Sequence, residues 1–120
     1  MDGRVQRVME IVKNSLADRL PERAMARIVN LSCARLRQLF KKETGLSPFQ
    51  YVKRLRMKRA ADLLRRSFLS VKEVSFQSGW GDLSHFVRDF KKRYGLTPSE
   101  FRTRGRQIYQ NQTVKTKASK

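Results

Sequence analysis

Two predicted helices, fifty residues apart, present polar and basic side chains on the face turned away from the protein core. A helical wheel of the first helix places on that face and its edges Ala34, Arg35, Arg37, Gln38, Lys41 and Lys42. The same face of the second helix carries Ser84, His85, Val87, Arg88, Lys91 and Lys92. Gln38 and Arg88 occupy equivalent positions. Each can form two hydrogen bonds with one base edge, Gln with adenine N6 and N7, Arg with guanine O6 and N7. These side chains therefore predict contact with base pairs.

The other members of the two faces suit other parts of a DNA duplex. Ala34 or Val87 could contact a thymine methyl group. The lysines that lie farther along the helices are predicted to neutralise phosphates, and they are Lys41, Lys42, Lys91 and Lys92. The helices that begin near Ser47 and Thr97 could also offer backbone N–H groups to phosphate. The competing interpretation is that both faces are simply solvated charged surfaces.

Both helices belong to a sequence repeat that must position them. Residues 32–51 read SCARLRQLFKKETGLSPFQY and residues 82–101 read DLSHFVRDFKKRYGLTPSEF, with Phe, Lys-Lys, Gly-Leu and Pro recurring at the same places. Ser32 and Asp82 are suited to cap the starts of the first and second helix. Gly45 and Gly95 are suited to end them in the left-handed conformation. A capping box with Pro at the first helical position then opens the next helix in both copies. The repeat therefore predicts a duplicated functional unit.

A short predicted helix precedes each copy, over residues 21–29 and 70–78, which makes each a helix-turn-helix arrangement. An amphipathic helix over residues 2–16 should cover the first copy. The predicted fold is all-α with about seven helices. Its segments are an N-terminal helix-turn-helix unit over 1–47, a linker helix over 48–66, a C-terminal helix-turn-helix unit over 67–104 and a disordered basic tail over 105–120.

Helical periodicity also predicts which side chains form the core. The inner face of the second repeat helix consists of Leu83, Phe86, Phe90 and Tyr94. Cys33 aligns with Leu83 and is therefore predicted to be a small buried hydrophobe. Phe49 is assigned to the apolar face of the linker helix. Nearly all aromatic side chains would then face the core.

The charge balance points to an anionic partner. The chain of 120 residues has 28 Lys and Arg against 10 Asp and Glu, a net charge of +18, which favours nucleic acid. No membrane span or signal peptide is recognised, so a cytoplasmic location is expected. The single cysteine excludes a disulfide within the chain and a cysteine-cluster zinc site, and neither a metal nor a cofactor is predicted. Cys33 and His85 lie in different copies, so no enzyme is expected.

The run KEVSFQSGWGDLSHFVRDFKKRYGLTPSEFR resembles the C-terminal signature of AraC/XylS-type transcription regulators. The run MARIVNLSCARLRQLFKKETGLSPFQYVKRLRMKRAADLL resembles the family's first helix-turn-helix unit and linker helix, and the likeness covers residues 5–103. It departs from the family pattern at Ser75, Trp80 and Gly81. The resemblance implies seven helices and binding to promoter DNA. Carried over by position, it implies that the base-reading residues are Ala34, Arg35, Arg37, Gln38, Ser84, His85, Val87 and Arg88.

The sequence thus predicts a sequence-specific regulator of transcription that binds double-stranded promoter DNA as a monomer and places two helices in adjacent major grooves. RNA polymerase is a further expected partner. One alternative is a nonspecific, basic, nucleoid-associated protein that coats DNA. A second is an RNA-binding module, which the predicted lack of exposed aromatic side chains disfavours.

Overall fold

The computed structural model describes residues 1–18 and 20–105, and within them the chain forms seven helices and no strand. The helices are α1 (Gly3–Asn14), α2 (Glu22–Ile28), α3 (Cys33–Thr44), α4 (Pro48–Arg66), α5 (Val71–Gln77), α6 (Leu83–Tyr94) and α7, described over residues 98–105. The predicted all-α class and helix number are confirmed. None of the helices in the described part of the chain is long and apolar enough to span a bilayer.

The chain divides into two compact units within α4. The first unit ends at Lys58 and the second begins at Arg59. The helix α4 has the bounds predicted for the linker, 48–66, and the division into four segments stays a prediction. Gly105, the first residue of the predicted tail, is helical, whereas residues 106–120 of that tail lie outside the described residues.

Caps fix both ends of the two repeat helices as predicted. The Ser32 hydroxyl accepts a hydrogen bond from the Arg35 backbone N–H at 3.1 Å, and the Asp82 carboxylate accepts from two backbone N–H groups at the start of α6. Gly45 and Gly95 end their helices in the left-handed conformation, with φ of 79° and 75°. Because a cap depends on local residue types, its position is legible from sequence.

Replacing Gly45 or Gly95 by Ala should lower the free energy of unfolding by roughly 1 kcal/mol each, since an L-residue is strained at positive φ. A Cβ at either position would meet nothing within 4 Å, so conformation alone sets the cost. Gly3→Ala is the control, because Gly3 lies in α1 and does not have a positive φ. This substitution should not destabilise the protein. Urea denaturation measures all three; unchanged midpoints for both C-cap variants would contradict the expectation.

The turns before the two repeat helices share one hydrogen-bond pattern. In the first, Asn30 has a φ of 57° and the Leu31 N–H donates to the Ala26 carbonyl at 2.9 Å. In the second, Gly79 has a φ of 93° and the Trp80 N–H donates to the Ser75 carbonyl, also at 2.9 Å. The second turn then inserts one extra residue, Gly81, before its N-cap.

The first unit buries apolar side chains from its three leading helices. The buried set comprises Val5, Val8, Val12, Met25, Ala26, Val29, Leu36, Leu39 and Phe40. The amphipathic face of α1 covers this core as predicted. The ring of Tyr51, from the start of α4, meets the ring of Phe40 edge-on, with centroids 5.3 Å apart. These contacts hold α3 with its opposite face outward.

An aromatic cluster forms the centre of the second unit. Phe86 and Phe90 are fully buried with ring centroids 5.6 Å apart, and Phe101 of α7 meets Phe90 edge-on at 5.2 Å. Arg102 donates from Nε to the carbonyl of Leu64, in the last turn of α4, at 3.0 Å. These contacts set the orientation of α6.

Two predicted core positions are wrong, since Leu83 is 41% exposed and Phe49 is 66% exposed. Cys33 is partly buried and packs against the core of the first unit, close to what was predicted. Leu83 and Phe49 lie in the first and second positions of their helices. Because side chains tilt toward the helix N-terminus, residues there project past the helix start instead of over the core. Phe68 and Phe76 are exposed too. The predicted lack of exposed aromatic side chains is therefore wrong, and it no longer disfavours RNA binding.

Candidate nucleic-acid interface

The outer face of α3 is accessible to a ligand. The residues predicted to contact bases in the first unit are all exposed, namely Ala34, Arg35, Arg37 and Gln38. Lys41 and Lys42 are exposed in the last turn of the same helix. One helix surface therefore offers hydrogen-bond donors and acceptors near its N-terminus and positive charge near its C-terminus.

The outer face of α6 repeats this arrangement with different residues. Ser84, His85 and Arg88 are exposed, whereas Val87 is partly buried at the edge of the face. Lys91 and Lys92 are exposed in the last turn. A partly buried Val87 still presents apolar surface, which is compatible with the predicted contact with a thymine methyl group.

Arg37 has a partner that sequence reasoning missed. Its Nε donates a hydrogen bond to Glu22 Oε1, which joins α3 to the first turn of α2, and this bond raises the pKa of the guanidinium. The side chain of Arg37 remains 59% exposed. The two residues are fifteen positions apart on separate helices, a spacing with no periodic signal, so no sequence pattern could have identified the pair.

His85 lies close to an acidic residue that sequence reasoning missed. Its Nε2 lies 2.9 Å from Asp89 Oδ2, one helical turn later on α6. The ring of Trp80 approaches from the preceding turn, with its centroid 6.0 Å from that of His85. The i, i+4 spacing of His85 and Asp89 is the signal that could have revealed this contact.

The predicted capping boxes leave few free amides at the N-termini of α4 and α7. In α4, Ser47 and Gln50 bond each other's backbone N–H groups, and Pro48 has none, which leaves the Phe49 amide for an external ligand. In α7, Thr97 and Glu100 form the same capping box, and these hydrogen bonds lower the pKa of Glu100. Because a charged carboxylate at a helix start repels phosphate, α4 suits an anion better than α7.

Comparison with known proteins places these features in a family. A family model described as a helix-turn-helix domain matches residues 25–104. The HTH-type transcriptional activator RhaS from Enterobacter sp. (strain 638) is 32% identical over 101 residues, which cover 84% of this chain and 36% of that protein. This chain therefore spans just over a third of the length of the curated relatives it matches.

Two solved structures have the same fold. A transcriptional regulator from Chromobacterium violaceum, described with AraC-type DNA-binding domain-containing proteins, aligns with a TM-score of 0.78 at 24% identity, over 85% of this chain and 91% of that one. The DNA-binding domain of AdpA, a global transcriptional factor in complex with a target DNA, aligns with a TM-score of 0.85 at 22% identity, over 89% and 96% of the two chains. With two helix-turn-helix arrangements and a family model that matches both, this chain belongs to the AraC/XylS-type family of helix-turn-helix domains.

Proposed function

We propose that this chain is a sequence-specific regulator of transcription that binds double-stranded promoter DNA by inserting α3 and α6 into adjacent major grooves. The observation that carries the proposal is that both helices expose an outer face of base-reading residue types while their inner faces are buried. An α-helix fits the major groove, where each base pair presents a distinct pattern of donors and acceptors. The net charge of +18 supplies the attraction to the phosphate backbone.

Each helix has a separate set of roles in this proposal. On α3, Gln38 reads adenine, Arg37 reads guanine and Ala34 contacts a thymine methyl, with Arg35 at the edge of the face. On α6 the corresponding readers are Ser84, His85, Val87 and Arg88, of which Arg88 reads guanine. Phosphate contacts come from the exposed lysines of the last turns, Lys41, Lys42, Lys91 and Lys92, and from the Phe49 amide.

The two faces differ in residue type, and this supports binding of one monomer to an asymmetric site. A symmetric dimer reads a palindrome, whereas two unlike helix-turn-helix units in one chain read two unlike sub-sites. The difference also supports sequence-specific binding over nonspecific coating of DNA, since coating requires only positive charge. RNA polymerase is a proposed partner because the curated relatives are named transcriptional activators.

Substitution of single base-reading residues tests the proposal. Arg88→Ala should weaken binding by about 1–3 kcal/mol and relax base preference only in the sub-site that α6 contacts; Gln38→Ala should relax only the other sub-site. A site is first selected from random duplex DNA, and footprinting and base-substitution scans then compare the variants.

Two exposed residues off the proposed faces provide matched controls. Arg93→Ala removes the same charge from the last turn of α6, and Gln6→Ala removes the same amide from α1. Both should change affinity about equally for all sequences. A palindromic site that needs two chains, or both test variants relaxing the same sub-site, would refute the proposal, and tighter binding to RNA than to duplex DNA would favour the RNA-binding alternative.

A further inference from the structure

An ion pair connects the two helices of the first helix-turn-helix arrangement. Glu22 lies in the first turn of α2, and its Oε1 accepts a hydrogen bond from Nε of Arg37 on α3. The Glu22 side chain is 25% exposed and that of Arg37 is 59% exposed, so the pair lies at the edge of the outer face of α3. Arg37 is therefore attached to α2 while part of its guanidinium stays accessible.

The geometry of a guanidinium makes the choice of nitrogen important. Arginine has five N–H donors in one plane, one on Nε and two on each terminal nitrogen. Because Glu22 occupies Nε, both terminal nitrogens keep donors for O6 and N7 of a guanine. The contact thus restrains the side chain without using the nitrogens that a bidentate base contact needs.

A nearby carboxylate also changes what else Arg37 can do. A free arginine on a DNA-binding surface can bind a phosphate in place of a base, which carries no sequence information. The pair of Arg37 and Glu22 together has almost no net charge, and the Glu22 carboxylate repels phosphate oxygens at short range. Both effects disfavour the phosphate contact relative to the base contact.

We propose that Glu22 is a positioning residue for base recognition, which holds the guanidinium of Arg37 so that the first unit discriminates in favour of guanine at one base pair. This inference rests on the proposed function, since it requires α3 to lie in the major groove. Its energetic basis is preorganisation, because a long side chain that is already ordered loses less conformational entropy on binding. Glu22 itself need not contact DNA.

The test is a base-substitution scan of the selected site with the full chain and five variants. They are Glu22→Gln, Arg37→Ala, Arg37→Lys, the double variant Glu22→Gln/Arg37→Ala, and Glu10→Gln. Glu10 is an exposed acidic residue on α1 of the same unit, so its variant reproduces the change in net charge without touching Arg37. Thermal denaturation of each variant shows that it is folded at the temperature of the binding assay.

Glu22→Gln should reduce discrimination about two- to tenfold at one base pair, the one at which Arg37→Ala also relaxes preference. Elsewhere in the site it should match Glu10→Gln, with a similar small rise in affinity for all sequences. In the double variant, the loss of Glu22 should add nothing at that base pair. Arg37→Lys should lose discrimination as Arg37→Ala does, because lysine keeps the charge but has no planar fork.

Other results separate failure of this inference from failure of the proposed function. If Arg37→Ala relaxes one base pair but Glu22→Gln behaves like Glu10→Gln throughout, base reading stands and the positioning role is refuted. If Arg37→Lys retains the discrimination, the bidentate contact is wrong and the inference fails with it. If Arg37→Ala changes no base preference, Glu22 has nothing to position, while the substitutions at Gln38 and Arg88 still decide the proposed function.

Discussion

Raising the salt concentration from about 50 mM to about 200 mM should weaken binding of this chain to its DNA site by roughly 10³- to 10⁵-fold. This corresponds to a slope of log K against log salt of about −5 to −9. Each phosphate neutralised by Lys or Arg releases condensed counterions, and each such contact contributes about −0.9 to the slope. The chain has 28 basic residues against 10 acidic ones, so enough Lys and Arg side chains are available for several phosphate contacts.

A steep slope is expected even though some acidic residues lie near the proposed interface. Three acidic residues lie next to a basic or histidine side chain of the same unit. The pairs are Asp2 with Arg4, Glu22 with Arg37 and Asp89 with His85. The lysines in the last turns of α3 and α6 are exposed. Positive charge thus remains accessible on the helices that are proposed to enter the grooves.

Fluorescence anisotropy with labelled duplex at several salt concentrations measures the slope. The double variant Lys41→Ala/Lys42→Ala should make it less negative by about 2 and leave base preference unchanged, because phosphate contacts carry no sequence information directly. A double substitution of distant lysines that do not touch DNA should leave the slope as it is. A slope shallower than about −2 for the unaltered chain would contradict the electrostatic basis of the proposed function.

The features that sequence reasoning predicted well depend on residues close together in the chain. Ser32 and Asp82 cap their helices, and Gly45 and Gly95 end them, because each needs only its immediate neighbours to adopt that conformation. The capping box of Ser70 and Glu73 is another pattern that needs only neighbouring residues. The repeat then predicted the relation between the two helix-turn-helix arrangements.

The features that sequence reasoning missed depend on where a side chain points or on contacts between helices. A helical wheel assigns Leu83 to the inner face by angle alone, but the first residue of a helix has no preceding turn beneath it, and Leu83 is 41% exposed. The pairing of Glu22 with Arg37 depends on how α2 packs against α3. The exposed Phe76 lies on α5, where too few residues define a face for periodicity to identify.

The aromatic centre of the second unit leads to a prediction on stability. Phe90→Ala should lower the free energy of unfolding by about 3–5 kcal/mol, because Phe90 is fully buried and its removal leaves a cavity. The substitution also removes ring contacts with Phe86, Tyr94 and Phe101, at centroid distances of 5.6, 4.6 and 5.2 Å. Since small domains are stable by only about 5–15 kcal/mol, this loss is a large share of the total.

Phe76→Ala is the matched control for this substitution, because Phe76 is 79% exposed and the same atoms are removed. It should change stability by less than about 0.5 kcal/mol. Trp80 is the only tryptophan, and its ring lies 5.6 Å from that of Phe86, so its fluorescence in urea reports on the second unit. Phe90→Ala should shift that transition to lower urea concentration and weaken DNA binding for all sequences alike, since no base-reading residue is altered. A midpoint equal to that of Phe76→Ala would show that the cluster around Phe90 does not hold α6 in place.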